Sequence, residues 1–154
     1  MIPQRINLIL YSTLAVIICY IDRVNISVAI IPMQEQFGWS DSQVGFIFSS
    51  FYLGYMLTMA LGGYLSDKFG GKLVLGWGVV LWSIFTMLTP LAAHNGFFAL
   101  FFIRVLMGIG EGVTFPAWHS LYARWIPFNE RTRAIAFTNS GVSVGTIIGY
   151  IGTQ

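Results

Sequence analysis

The chain has 154 residues, of which 56% are hydrophobic and only 9% charged, and its mean hydropathy is +0.73, whereas soluble domains carry roughly 25% charged residues. That balance excludes a water-soluble globular domain, and a net charge of +2 spread over scattered basic residues excludes a nucleic-acid-binding surface. One cysteine, Cys19, supports neither an intrachain disulfide nor a cysteine metal cluster, so a packing thiol is its expected role.

A membrane-crossing helix needs about 20 mostly apolar residues. Stretches 8–31, 43–64, 73–93, 97–120 and 134–154 qualify. The expected fold class is an all-α membrane protein with about five transmembrane helices; the weak alternation of a lipid-facing β-barrel is absent. The first stretch follows Arg5 but runs past a signal-peptide core without a convincing small-residue cleavage site, so it reads as a retained span. The second, third and fifth contain no Asp, Glu, Lys or Arg. The fourth contains Arg104, Glu111 and Pro116, and the proline is expected to bend it by removing a backbone donor. The fifth carries Gly141, Gly145 and Gly149 on one stripe, which lets another helix approach closely. An odd number of spans ending there reads as a truncated bundle.

The basic residues orient the chain. Arg5, Lys68, Lys72, Arg124, Arg131 and Arg133 precede the first span or lie in the second-to-third and fourth-to-fifth links, and the other two links hold none. By the positive-inside rule the N-terminus is cytoplasmic, in a multi-pass protein expected in the cell membrane. Asp22 and Arg23 in the first span, and Arg104 and Glu111 in the fourth, are the charged residues within apolar stretches. Each costs about 2.5–3.5 kcal/mol at mid-bilayer, so they are expected to face a bundle interior or a wet cavity. At about 1.5 Å per residue, Asp22 and Arg104 reach similar depths. The expected ion pair is therefore Asp22 with Arg104, leaving Arg23 and Glu111 nearer the cavity. Arg23 is a permanent cation suited to holding a carboxylate or phosphate through a two-pronged hydrogen bond. Glu111, flanked by Gly110 and Gly112, sits in apolar surroundings that disfavour its charged form, as a carboxyl that exchanges protons requires.

The link after the second span reads GGYLSDKFGGK, in which Gly63, Leu65, Asp67, Gly70 and Lys72 fit G-x-L-x-D-x-x-G-x-K. This resembles the signature loop between the second and third spans of the major facilitator superfamily. Glycines there permit a tight turn, an aspartate can cap a helix, and lysines suit the cytoplasmic surface. The first-span YIDRVNISVA and the fourth-span EGVTFPAWH, followed by W-x-P-x-x-E-R, resemble the anion:cation symporter family, which includes sialin, vesicular glutamate transporters and bacterial galactonate and hexuronate transporters. The resemblance implies a twelve-helix fold in two six-helix halves, of which this chain, 1–154, is the truncated N-terminal bundle, with a missing C-terminal half as partner.

For the site, the resemblance implies that Arg23 binds the substrate anion, with Tyr20, Tyr55 and Arg104 beside it. It implies proton coupling by Glu111, Asp22 and His119, and a conformational or gating motif at Gly63, Asp67, Gly70 and Lys72. A second fourth-span acid of sialin is Met107 here, and a second-span histidine of the glutamate carriers is Phe48, which turns the expectation away from sialic acid and glutamate. The expected function is proton-coupled symport of an organic anion, such as a sugar acid, by alternating access. The alternatives are a phosphate or sodium-coupled anion carrier, and a non-transporting membrane sensor, partner subunit or inactive fragment. No nucleotide-binding loop, zinc spacing or nucleophilic triad occurs, so neither an enzyme nor a cofactor is expected.

Overall fold

The structure, a computed structural model, describes residues 4–152. It consists of helices α1 (Gln4–Phe37), α2 (Asp41–Phe69), α3 (Gly71–His94), α4 (Phe97–Gly112), α5 (Thr114–Trp125) and α6 (Phe128–Gly152). The segment Phe97–Trp125 is a single span, so five helical segments are long and apolar enough to cross a membrane. The protein is a multi-pass membrane protein. Its large apolar side chains are often outermost, as at Met87 (81% exposed) and Phe102 (62% exposed), the distribution expected where hydrocarbon is the solvent.

Helices α1, α2 and α3 outrun at both ends the spans expected from hydropathy, the Phe97–Trp125 segment runs past its expected end and α6 begins before its expected start, because hydropathy marks only the stretch in hydrocarbon while the backbone ladder continues through polar turns. Between α2 and α3 the extension consumes nearly the whole polar link. Only Gly70 stands outside a helix, with φ +88°, and it ends one helix and starts the next. That left-handed φ is the conformation for which glycine is needed. Gly63, expected to help form the turn, lies within α2. Asp67 caps no helix start either: it belongs to the last turns of α2, and α3 has no side-chain cap. The α1–α2 link is closed by a capping box in which Ser40 and Gln43 satisfy each other's backbone donors.

The fourth span breaks where Pro116 requires it. In α5 the proline is the third residue, so the carbonyl four positions earlier, that of Gly112, has no N–H to accept. The interruption falls at Val113, immediately after Gly112.

Small residues set the spacing of the bundle. A Cβ at Gly141 or Gly145 would press on the α1 backbone at Thr13 or Ile17, and one at Gly149 would press on Val24; the expected glycine stripe is the α1–α6 seam. A second seam joins α2 to α4, where a Cβ on Gly54 would overlap the Val105 carbonyl and one on Gly108 the Phe51 carbonyl. Near one end of the bundle Ile30, Trp39, Ile47 and Leu100 form a cluster, and near the other Trp118, Leu121, Tyr122 and Ile126 form another. Between them Phe51, Trp82 and Met107 join α2, α3 and α4. The backbone of α1 lies against α6 and stands further from α2 and α4; side chains bridge that interval.

Candidate functional site

The ionisable residues of α1 and α4 meet in this interval. Arg23 and Cys19 are four residues apart on α1 and therefore share a face. Both reach Glu111 of α4: Arg23 Nε donates to Glu111 Oε1 at 2.9 Å, and the Cys19 thiol donates to the same oxygen. Glu111 is 1% exposed and Arg23 18% exposed at the side chain, so the ion pair is almost closed to the surface.

An aromatic collar surrounds the cation. The Arg23 guanidinium lies 5.0 Å from the Tyr20 ring centroid, 5.2 Å from Phe51 and 4.8 Å from Tyr55. Phe51 also carries the second cation, the Arg104 guanidinium, at 4.9 Å. Electron-rich ring faces attract such cations where water is scarce. Arg104 itself is buried, its Nη1 lies 3.2 Å from the Met107 sulfur, and its Nε has no hydrogen-bond partner among the described residues.

The expected Asp22–Arg104 ion pair is not formed: the buried pair among the described residues is Arg23–Glu111. Neighbours on a helix diverge by about 100°, so the rotation of α1 that presents Arg23 to Glu111 turns Asp22 toward α3. There its Oδ2 accepts from Thr86 Oγ1 at 3.3 Å. Asp22 and Arg104 do line one pocket of about 170 Å³ together with Asn25, Thr86, Thr89 and Met107.

The structure therefore gathers Tyr20, Asp22, Arg23, Tyr55, Arg104 and Glu111 into one region. It does not bring His119 there; that residue is on the exposed side of α5 and stacks on Trp118 at 3.8 Å. The motif residues lie apart from the cluster. Asp67 Oδ1 is 3.8 Å from Arg124 Nη2 and accepts from Ser120 Oγ at 3.3 Å, and Arg124 also donates to the Asp67 carbonyl at 3.2 Å. These bonds tie the end of α2 to the end of α5. Lys72 lines an apolar groove between α1, α3 and α5 with Tyr11 and Trp125. Sequence reasoning missed Phe51 and Cys19. The signal for Phe51 was its position one turn before Tyr55; for Cys19 it was its position one turn before Arg23.

The Major Facilitator Superfamily model matches residues 12–153. The chain belongs to that superfamily. Over 96% of its length it is 50% identical to the probable anion transporter 4, chloroplastic, of Oryza sativa subsp. japonica. It is 48% identical to the chloroplastic ascorbate transporter of Arabidopsis thaliana and 46% identical to that organism's chloroplastic sodium-dependent phosphate transport protein 1. These matches cover 25%, 27% and 29% of the relatives, so the chain spans between a quarter and a third of their length. A solved bacterial homologue of the human lysosomal transporter Spinster, inward-facing and unoccupied, superposes with a TM-score of 0.89 at 31% identity, covering 97% of this chain and 31% of that one. The superfamily read from the loop motif is thus the superfamily found, and the relatives that resemble the chain carry names of anion, ascorbate and phosphate transporters.

Proposed function

We propose that this chain forms five membrane spans of the N-terminal bundle of a secondary active transporter, which carries an organic anion together with protons. A C-terminal half would complete the cavity, and rocking of the two halves would expose it to each side in turn. The observation that carries the reading is the Arg23–Glu111 pair, 2.9 Å long, within its collar of Tyr20, Phe51 and Tyr55. While Glu111 is ionised it occupies the guanidinium. A proton on Glu111 removes the competing charge and leaves Arg23 available to a carboxylate of the substrate. When the anion departs, Arg23 draws Glu111 back into the pair and the proton is released, so anion and proton move in the same direction.

Tyr20 and Tyr55 would pack against the solute, and Arg104 would supply a second positive charge. Asp22 would be the second titrating acid, hydrated through the pocket it shares with Arg104. His119, about 12 Å along the helix axis from Glu111 at the rise of one α-helical residue, would serve only near the inner end of a proton path. Gly63, Asp67, Gly70 and Lys72 would act as the inner gate, with the Asp67–Arg124 contact closing one end.

A phosphate carrier is the second reading, favoured by the 46% identical relative named as a sodium-dependent phosphate transporter. In proteoliposomes holding the complete transporter, competition for uptake separates the two. Inhibition by sugar acids and ascorbate but not by phosphate supports the organic anion, whereas inhibition by phosphate alone overturns it. Loss of uptake in Arg23→Gln under either anion is the accompanying expectation. The chloroplastic names of the relatives set a plastid membrane beside the cell membrane, and the location of a fluorescent fusion decides between them. A cytoplasmic N-terminus, with the basic links on the same side, completes the proposal.

A further inference from the structure

The thiol of Cys19 is placed as a partner of the carboxyl to which the coupling role is given above, and this inference rests on that reading. Two donors from α1 converge on one oxygen of Glu111: the Cys19 thiol and Arg23 Nε both donate to Oε1. The other oxygen, Oε2, is buried and has no hydrogen-bond partner among the described residues. Glu111 and Cys19 are each 1% exposed, so the carboxyl and the thiol are enclosed by protein. A carboxyl held in this way is asymmetric. Oε1 is doubly engaged, and Oε2 is the oxygen with lone pairs to spare. If packing were the only demand at position 19, a small apolar side chain would serve; it would leave the second donor to Oε1 unexplained.

The geometry points to Cys19 as a positioning residue, whose S–H fixes Glu111 Oε1 beside Arg23 and leaves Oε2 as the atom that takes up and gives up the proton. The charged and titratable groups in electrostatic reach of Glu111 are Tyr20, Asp22 and Arg23 on α1, Tyr55 on α2 and Arg104 on its own helix. Of these only Arg23 bonds it directly, and the titratable Cys19 thiol on α1 is the other direct partner among the described residues. The proton balance is simple: protonation forms an O–H bond at Oε2, Oε1 changes from a carboxylate to a carbonyl oxygen, and the thiol keeps its hydrogen while donating to a weaker acceptor. A thiol is a weak donor, so it orients the carboxyl without locking it.

The S–H vibration therefore reports the state of Glu111, and the chain has a single thiol to observe. Infrared difference spectra of the 154-residue chain in lipid nanodiscs, titrated in pH, provide the test. The carboxyl C=O band of Glu111 is identified by its loss in Glu111→Gln. The expected result is that this band appears, and the S–H band moves to higher frequency, with one common midpoint. In Glu111→Leu, which lacks the acceptor, the S–H band stays at the high frequency at every pH. An S–H band that remains still while the Glu111 band titrates overturns the inference.

A second arm uses the complete transporter. Cys19→Ala is expected to lower proton-driven accumulation by about tenfold, the size of one hydrogen bond to a charged group. Cys19→Ser restores it, since the hydroxyl donates from the same place. Equal behaviour of the alanine and serine variants overturns the positioning role. Should Glu111→Gln still accumulate solute, the coupling reading fails, while the shared infrared midpoint stands or falls separately.

Discussion

Phe51 is where removing a single ring tests the electrostatics of the site. It is 2% exposed, and both buried cations lie over it, Arg23 at 5.2 Å and Arg104 at 4.9 Å from its centroid. Two guanidinium groups near one another in a poorly hydrated interior repel, and the ring offers each an attraction of about 1–2 kcal/mol when water is excluded. Phe51→Leu keeps an apolar side chain but deletes the ring face. The expected destabilisation is about 3–5 kcal/mol, from the two lost cation contacts and from imperfect refilling of the space. A double-mutant cycle with Arg104→Met separates these contributions. The methionine removes a buried guanidinium that has no ion pair among the described residues, and apolar replacement of buried charge is often neutral or stabilising. Unfolding of the four proteins by SDS in mixed micelles should give a Phe51–Arg104 coupling of about 1–2 kcal/mol. Additivity within about 0.5 kcal/mol would refute the shared-ring account and reduce Phe51 to packing.

Three further changes have defined outcomes. Gly145→Leu places a side chain where even a Cβ would come within 2.6 Å of the Ile17 carbonyl, so α1 and α6 should separate; loss of the helical, monodisperse state on size exclusion and circular dichroism is expected, whereas Gly152→Leu, with open space around it, should be tolerated. Gly70→Ala forces a side chain onto φ +88° and should cost about 1–3 kcal/mol in the same SDS unfolding assay. Arg124→Gln breaks an ion pair whose side chains are 53% and 76% exposed; stability should fall by less than about 1 kcal/mol, while thiol-labelling probes placed along α5 should show altered access if the contact is a gate.

Much of the fold was legible because the bilayer demands long apolar segments and internally satisfied backbones. The five stretches and the α6 glycine stripe followed from that demand. The helix ends did not, since hydropathy falls at the hydrocarbon boundary and the helix does not. The Gly54–Gly108 seam was hidden because two isolated glycines on different helices have no common period. At the site, the sequence identified the charged residues but paired them incorrectly. Depth along the axis is readable from residue counts; the rotation of α1, fixed by its glycine contacts with α6, is not, and it is this rotation that gives Arg23 to Glu111 and Asp22 to Thr86. In the sequence Cys19 has the look of a packing thiol, because a thiol among apolar residues carries no sign of the carboxyl opposite.

The central claim is that Glu111 exchanges a proton for its hold on Arg23. Glu111→Gln in the complete transporter, reconstituted in liposomes, tests it most directly, because the amide keeps the shape and cannot titrate. The account predicts that accumulation driven by an imposed proton gradient disappears while counterflow exchange of the anion continues. Accumulation against the anion's gradient at the rate of the unmodified protein would contradict it.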